Sequence, residues 1–103
     1  YEININIAPA INLEKKIIET GVTVNVNNME KTIKASCTAL GLFSFPESLG
    51  ELKPEGFANV NAAAIIYPFC REAIASVSVK AGIQPILLPP FDFAGAYMKG
   101  KGN

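Results

Sequence analysis

The sequence of 103 residues contains no histidine and no tryptophan, and only two cysteines. Histidine is the side chain that most often acts as a general base near neutral pH, so its absence argues against an enzyme. Cys37 and Cys70 stand far apart in apolar surroundings without the spacing of a metal site, and we interpret both as buried free thiols, with a disulfide left open. We therefore predict no enzyme, no metal and no cofactor.

The sequence also lacks any block of charge of one sign. Nine basic and nine acidic residues cancel, and they are scattered singly. Without a basic patch there is nothing to displace counterions from a nucleic acid, so we predict no nucleic-acid partner. Glu47, Glu51 and Glu55 lie four residues apart in a predicted loop over 46–57, but this spacing does not cluster the oxygens that calcium requires. We interpret them as solvated.

Long apolar runs are also missing, although half of the residues are hydrophobic. The longest run, Ala62 to Cys70, falls well short of the roughly 20 residues that cross a bilayer. No secretory leader pattern is present, so we expect a cytoplasmic protein without membrane insertion. A single domain this short cannot hide so much apolar surface by itself, which makes oligomerisation the natural way to cover it.

Alternation of apolar and polar residues predicts an antiparallel sheet of at least three strands. The first, from Tyr1 to Ile7, should end at Pro9 because proline cannot continue a ladder. The second, starting at residue 17, and the third, over 31–45, run antiparallel, with a bulge expected at Gly41 where the alternation shifts phase. The apolar residues of these strands share one face of the sheet. The other face is polar with few charges, and we interpret it as exposed to solvent.

A long helix is predicted from Ala62 onward, because apolar residues recur there at spacings of three and four. Asn59 or Asn61 is expected to cap its start, and Gly82 to end it. Pro68 predicts a kink or a later start. The alternating stretch SVSVK, residues 76–80, leaves a strand as the alternative for the second half.

The stretch GIQPILLPPFDFAGAY, residues 82–97, is rich in large apolar side chains yet contains three prolines. It cannot form one regular element. Prolines preset an extended backbone with less entropy to lose, so apolar side chains can stay displayed instead of collapsing. A short helix is predicted from Phe91 to Met98, with Asp92 near its start.

The segment from Ile65 to Tyr97 resembles the protein-export chaperone family SecB. In that family a helix with an aromatic-Pro-aromatic-x-Arg-Glu segment precedes an apolar, proline-containing loop and a Pro-x-x-Phe stretch that opens a final helix. The upstream segment CTALGLFSF is similar to the family's last strand, through Cys37, Gly41 and Phe43. The other matching residues are Tyr67, Pro68, Phe69, Arg71, Glu72, Ile74, Ser76, Leu88, Pro90, Phe93 and Tyr97.

The resemblance implies an α+β fold: an antiparallel sheet with one long helix packed on it and a short C-terminal helix. Three strands are visible and four are expected in the family, so residues 1–103 would be a single SecB-like domain that lacks the first strand. The implied function is that of an ATP-independent holdase, which binds unfolded or precursor polypeptides in hydrophobic grooves. The implied assembly is a homo-oligomer, either a dimer or a dimer of dimers.

By position, the resemblance implies two groups of site residues. The walls of the client groove would be Phe43, Phe45, Ile83, Ile86, Leu87, Leu88, Phe91, Phe93 and Tyr97. The oligomer interface would include Cys37 and Ala39 near a strand edge, and Ile66, Cys70 and Val77 on the long helix. Alternatively, the groove residues close the protomer's own core in a structural or assembly protein of the same fold. A third hypothesis is that the protein binds a small apolar ligand.

Two departures from the family pattern concern the translocation motor SecA. Family members dock on SecA through an acidic outer sheet face and a metal-binding tail. Here the outer face is mostly Asn, Ser and Thr, and the final residues, MKGKGN, contain no cysteine or histidine that would bind zinc. SecA docking is therefore doubtful, and a solitary or client-dedicated holdase fits better.

Overall fold

The fold, taken from a computed structural model that describes residues 1–45 and 53–100, is an antiparallel sheet covered on one face by helices. Strands β1 (Glu2–Asn12), β2 (Ile17–Asn27) and β3 (Lys34–Ser44) lie in the order β1-β2-β3. A continuous helix, Pro54–Lys80, and a short helix α3, Phe93–Gly100, follow. This arrangement confirms the predicted α+β fold class with its three visible strands.

The first strand is longer than predicted. It continues through Pro9, which pairs with Thr20 of β2, and reaches Asn12. The expectation that Pro9 ends the strand was wrong because β1 is an edge strand among the described residues. An edge strand tolerates proline wherever the missing N–H would point away from its neighbour.

The predicted bulge at Gly41 is also absent. Residues of β2 and β3 pair one to one along their whole length, with Gly41 opposite Thr20. Leu40 and Leu42 therefore lie on the outer face of the sheet, where both are exposed. The apparent phase shift in the sequence was produced by two leucines that face solvent.

The long helix has three parts, α1 (Pro54–Gly56), a π-helical turn (Phe57–Asn61) and α2 (Ala62–Lys80). It begins at a proline in the first helical position, where the missing N–H costs nothing. Residues 54–57, predicted as loop, are therefore helical, and residues 46–52 with Glu47 and Glu51 lie outside the described residues. The expected asparagine caps were wrong as well: Asn61 makes no side-chain cap bond, and Asn59 donates to the carbonyl of Glu55 at 2.9 Å.

The second half of α2 is helical, so the strand alternative for residues 76–80 is wrong. Pro68 lies inside the helix on its exposed side, where water can hydrate the carbonyl that loses its N–H partner. Gly82, at φ +84°, ends the helix as predicted, and its N–H donates to the carbonyl of Val79 at 2.9 Å. Only glycine adopts this backbone region readily.

The core lies between the inner sheet face and one stripe of α2. The central strand β2 is covered completely, with Val22 and Val24 fully buried beneath Cys70 and Ile74. The inner face of β3 is only half-buried along its whole length, although α2 packs on β3 as well as on β2. This uneven cover leaves apolar surface at the β3 side of the protomer.

Among the described residues, the helix Pro54–Lys80 is long and apolar enough to cross a membrane by length and composition. In this fold its buried stripe, with Ile66, Cys70 and Ile74, packs on the sheet. The core helix of a globular domain meets the same criteria. The expectation of no membrane insertion therefore stays a prediction.

Candidate functional site: an apolar loop fastened to the long helix

The loop that joins α2 to α3, residues 83–92, runs back along α2 from its C-terminal end. The amide of Ile83 donates to the carbonyl of Ser78 at 3.2 Å, near the end of α2. Further along the loop, Arg71 Nε donates to the carbonyl of Leu88 at 3.0 Å. The Tyr67 hydroxyl then donates to the carbonyl of Pro89 at 2.7 Å. Hydrogen bonds therefore attach the loop to α2 at three positions along the helix.

The side chains of this loop alternate between the core and the surface. Ile86 and Leu88 are 3% and 2% exposed and belong to the hydrophobic core, while Leu87 between them is 78% exposed. This is the alternation of an extended backbone, in which successive side chains point to opposite sides. The buried leucine and isoleucine therefore anchor a loop that presents Leu87 outward.

An aromatic cluster closes the far end of the loop. Phe93 is buried, and its ring packs edge-on against Tyr67 at 5.4 Å and against Phe91 at 4.7 Å between ring centroids. Phe91 is 41% exposed. Burial raises the pKa of Tyr67, and the nearby Arg71 opposes this shift. The Tyr67 hydroxyl consequently stays protonated and remains a hydrogen-bond donor at neutral pH.

The start of α3 is fixed by the predicted acidic residue. Asp92 Oδ1 accepts a hydrogen bond from the Gly95 amide at 3.0 Å, which satisfies one of the free N–H groups in the first helical turn. A β-carbon at Gly95 would lie within van der Waals overlap of the Asp92 carboxylate. The glycine therefore leaves room for this cap.

The predicted groove residues are spread over several separate clefts. Leu87 and Leu88 border a cleft of about 300 Å³ beside Arg71, and Phe91 borders one of about 280 Å³ at the start of α3. Phe93 and Tyr97 border a cleft of about 500 Å³ next to Asn6 and Ile7 of β1. Phe43 borders a cleft of about 410 Å³ between β3 and α2. Phe91 of the loop and Phe93 of α3 are in ring contact, but the structure does not join the predicted residues in one groove.

The cleft at β3 contains apolar residues that sequence reasoning did not assign to a site. Phe69 is 66% exposed there, and Ile65, one helical turn earlier, is exposed beside it. Both were predicted to share the apolar face of α2. That face is too broad to be covered by one sheet. Its breadth in the sequence already indicated that some of its apolar residues would stay exposed. Phe43 packs its ring edge-on against Phe57 at 5.6 Å, and the Phe45 amide donates to the Lys16 carbonyl at 3.0 Å.

The residues predicted for the oligomer interface fall into two groups. Ile66 and Cys70 are buried within the protomer, against the inner sheet face. Cys37 and Ala39 on β3 are half-buried, and Val77 on α2 is 50% exposed. The last three side chains therefore keep surface that another copy can cover.

Both cysteines are free thiols, as interpreted from the sequence, but only Cys70 is buried, and Cys37 is half-buried. Cys70 Sγ donates to the carbonyl of Val22 at 3.6 Å. Burial raises the pKa of Cys70 to about 11, and the neighbouring Cys37 thiol adds to this shift. Since the thiolate is the reactive form, Cys70 is a poor nucleophile near neutral pH. Among the described residues no group of acidic or sulfur ligands is arranged to hold a metal ion.

The chain matches the family model for the preprotein translocase subunit SecB over residues 1–103. The chain belongs to the SecB family. It is 32% identical over 89 residues to the protein-export protein SecB of Anaplasma phagocytophilum, covering 81% of this chain and 56% of that protein. It is 34% identical over 79 residues to SecB of Dechloromonas aromatica, covering 76% and 51%. The chain thus spans about half the length of these SecB relatives.

A solved structure supports the SecB fold. A SecB-like chaperone of Mycobacterium tuberculosis, in complex with a ChAD peptide from the HigA1 antitoxin, superposes with a TM-score of 0.66. The match covers 87% of this chain and 72% of that chain at 17% sequence identity. At this identity the likeness concerns the fold.

Proposed function

We propose that this chain is an ATP-independent holdase of the cytoplasm, which binds unfolded or precursor polypeptides through apolar surface. The observation that carries the proposal is the exposure of Leu87 and Phe91 on a loop that the fold holds in place. Without the hydrogen bonds that attach the loop to α2, the loop would be expected to fold its large apolar side chains inward. The family membership and the peptide-bound neighbour both agree with polypeptide binding.

The chemistry of this surface suits a client that varies in sequence. Burying a leucine or phenylalanine side chain contributes roughly 1.5–3 kcal/mol and demands no particular hydrogen-bond partner. Leu87 and Phe91 lie within one extended stretch, so a client chain passing along it can cover both. A few such contacts give the moderate, sequence-tolerant affinity that a holdase needs.

We further propose that the protomer is part of a homo-oligomer, a dimer or a dimer of dimers. Support comes from the half-buried inner face of β3 and from the exposed stripe with Phe69 and Val77 on α2. Contiguous apolar surface of this kind marks interaction sites. Docking on SecA receives no support from the outer sheet face, where Thr23 and Thr38 share a hydrogen bond of 2.9 Å in place of an acidic cluster.

The proposal is tested by measuring how well the wild type suppresses aggregation of an unrelated unfolded protein, compared with Leu87→Asp plus Phe91→Asp. Leu87 is exposed, but the Phe91 ring also packs on Phe93, so circular dichroism and light scattering must first show that the double variant keeps its fold and its oligomeric state. Loss of suppression in the double variant supports the loop as the client surface. Absence of suppression by the wild type contradicts a general holdase and favours the structural or assembly role.

A further inference from the structure

We infer that Tyr67 and Arg71 are positioning residues for client binding, acting as a clamp that holds the loop in the register that presents Leu87 and Phe91. The inference rests on the proposed function and adds to it the residues that organise the binding surface. These two side chains need not touch a client. They lie four residues apart on α2 and therefore project from the same face, one turn apart.

The clamp is defined by two hydrogen bonds to consecutive carbonyls. Arg71 Nε reaches the carbonyl of Leu88 at 3.0 Å, and the Tyr67 hydroxyl reaches the carbonyl of Pro89 at 2.7 Å. Two bonds to neighbouring peptide groups fix both the position and the rotation of the chain. A shift of one residue in an extended segment exchanges the inward and outward side chains. The same bonds thus decide that Leu88 lies inside and Leu87 outside.

The loop needs such bonds because its own backbone supplies few. Between Gln84 and Phe91, the hydrogen bonds given by the structure are the two from α2. Pro85, Pro89 and Pro90 have no N–H group to donate. Packing of Ile86 and Leu88 supplies attraction to the core, but apolar contacts are not directional. The two hydrogen bonds from Tyr67 and Arg71 are directional and therefore fix the orientation of the loop.

The test compares Tyr67→Phe, Arg71→Met and the double variant with the wild type. Tyr67→Phe removes the hydroxyl and keeps the ring that packs on Phe93, and Arg71→Met keeps an unbranched side chain without the donor. Lys80→Met is the matched control, since it removes one cation from an exposed position of the same helix. Two readouts are needed: backbone order parameters by ¹⁵N relaxation without any client, and affinity for a permanently unfolded probe, reduced and carboxymethylated lactalbumin.

Order parameters of Ile86, Leu87 and Leu88, the residues between Pro85 and Pro89 that carry an N–H group, should fall from rigid values near 0.85 to below about 0.6 in the double variant, while those of β2 and α2 stay unchanged. Each single variant should weaken probe binding roughly fivefold, as expected for one net hydrogen bond. The double variant should lose less than the product of the two, because a loop freed at one point gains little from the other bond. Lys80→Met should match the wild type in both readouts.

Three results would overturn the inference. Unchanged order parameters in the double variant would mean that packing alone holds the loop. Unchanged affinity with a loosened loop would mean that its register does not matter for binding. An equal loss of affinity in Lys80→Met would assign the effect to charge. If the wild type itself fails to bind the probe, the proposed function is contradicted, and the order parameters alone then decide whether the clamp exists.

Discussion

Leu87 and Leu88 are neighbours in the chain and lie on opposite sides of the same loop, one 78% exposed and the other 2% exposed. The two residues have the same side chain, so any difference between their variants reports position alone. Leu88 anchors the loop in the core beside Ile86 and Phe93. Leu87 contributes almost all of its apolar surface to the outside.

Truncating these two leucines to alanine should separate stability from binding. Leu88→Ala is expected to lower the free energy of unfolding by about 2–5 kcal/mol, the range for removing a buried leucine. Leu87→Ala should change it by no more than about 0.5 kcal/mol. Urea unfolding followed by circular dichroism checks both. Equal losses in the two variants would show that Leu87 is covered in the assembled protein.

Gly41 on β3 is predicted to be required by the close approach of α2. A β-carbon there would lie 2.7 Å from Ile66 Cδ1 and 2.9 Å from a ring carbon of Phe43. Gly41→Ala should therefore destabilise the fold by about 1–3 kcal/mol through overpacking. Ile66→Val removes the nearest contacting atom, so the double variant should lose less than the sum of the two single losses. Simple additivity in urea unfolding would argue against this contact.

Much of the fold could be predicted from the sequence because local rules act there without competition. Alternation of apolar and polar residues over 17–27 predicted β2. The spacing of apolar residues by three and four predicted α2, and Gly82 predicted its end. Two predictions failed where position in the sheet overrides local preference. Pro9 is tolerated because β1 is an edge strand among the described residues, and the leucines flanking Gly41 remain in register on an exposed face.

The candidate site was predictable only in part, because composition does not decide which side of a loop faces the core. Composition alone does not separate Leu87 from Leu88 and Phe93, because all three are apolar residues of one stretch. Their separation into surface and core depends on bonds from Tyr67 and Arg71, which come from another element. The exposure of Phe69 was missed for a similar reason, since periodicity shows that a face is apolar and not how much of it is covered.

Stability should depend on pH in the alkaline range through Cys70. Its pKa is raised from 9.0 to about 11, first by burial and then by the neighbouring Cys37 thiol. The folded state therefore holds this proton more tightly than the unfolded state. The corresponding stabilisation is fully present below pH 9 and is lost as the pH rises towards 11.

Comparing wild type with Cys70→Ala isolates this contribution from the other groups that titrate there. The free energy of unfolding of the wild type should fall more steeply between pH 9 and 11 than that of the variant. Urea unfolding at several pH values within this range provides the measurement. Parallel curves for the two proteins would show that the thiol has no shifted pKa in the fold.

The oligomer should depend on the exposed stripe of α2. Val77→Lys introduces a charge on a half-exposed apolar position, where burial against another copy would cost several kcal/mol without a partner. We expect light scattering to show a smaller species, with circular dichroism unchanged. Val79→Lys is the control, since Val79 is equally apolar and exposed but was not predicted at the interface. Dissociation by both variants, or by neither, would contradict this placement of the interface.

Photocrosslinking from single positions tests the central claim most directly. Benzoylphenylalanine at position 91 replaces one aromatic side chain with another on the loop, and the same group at position 38 samples the polar outer face of the sheet. With reduced, carboxymethylated lactalbumin as the unfolded probe, we expect crosslinks from position 91 and few from position 38. Crosslinks from position 38 alone, or equal yields from both positions, would contradict a client surface on the loop.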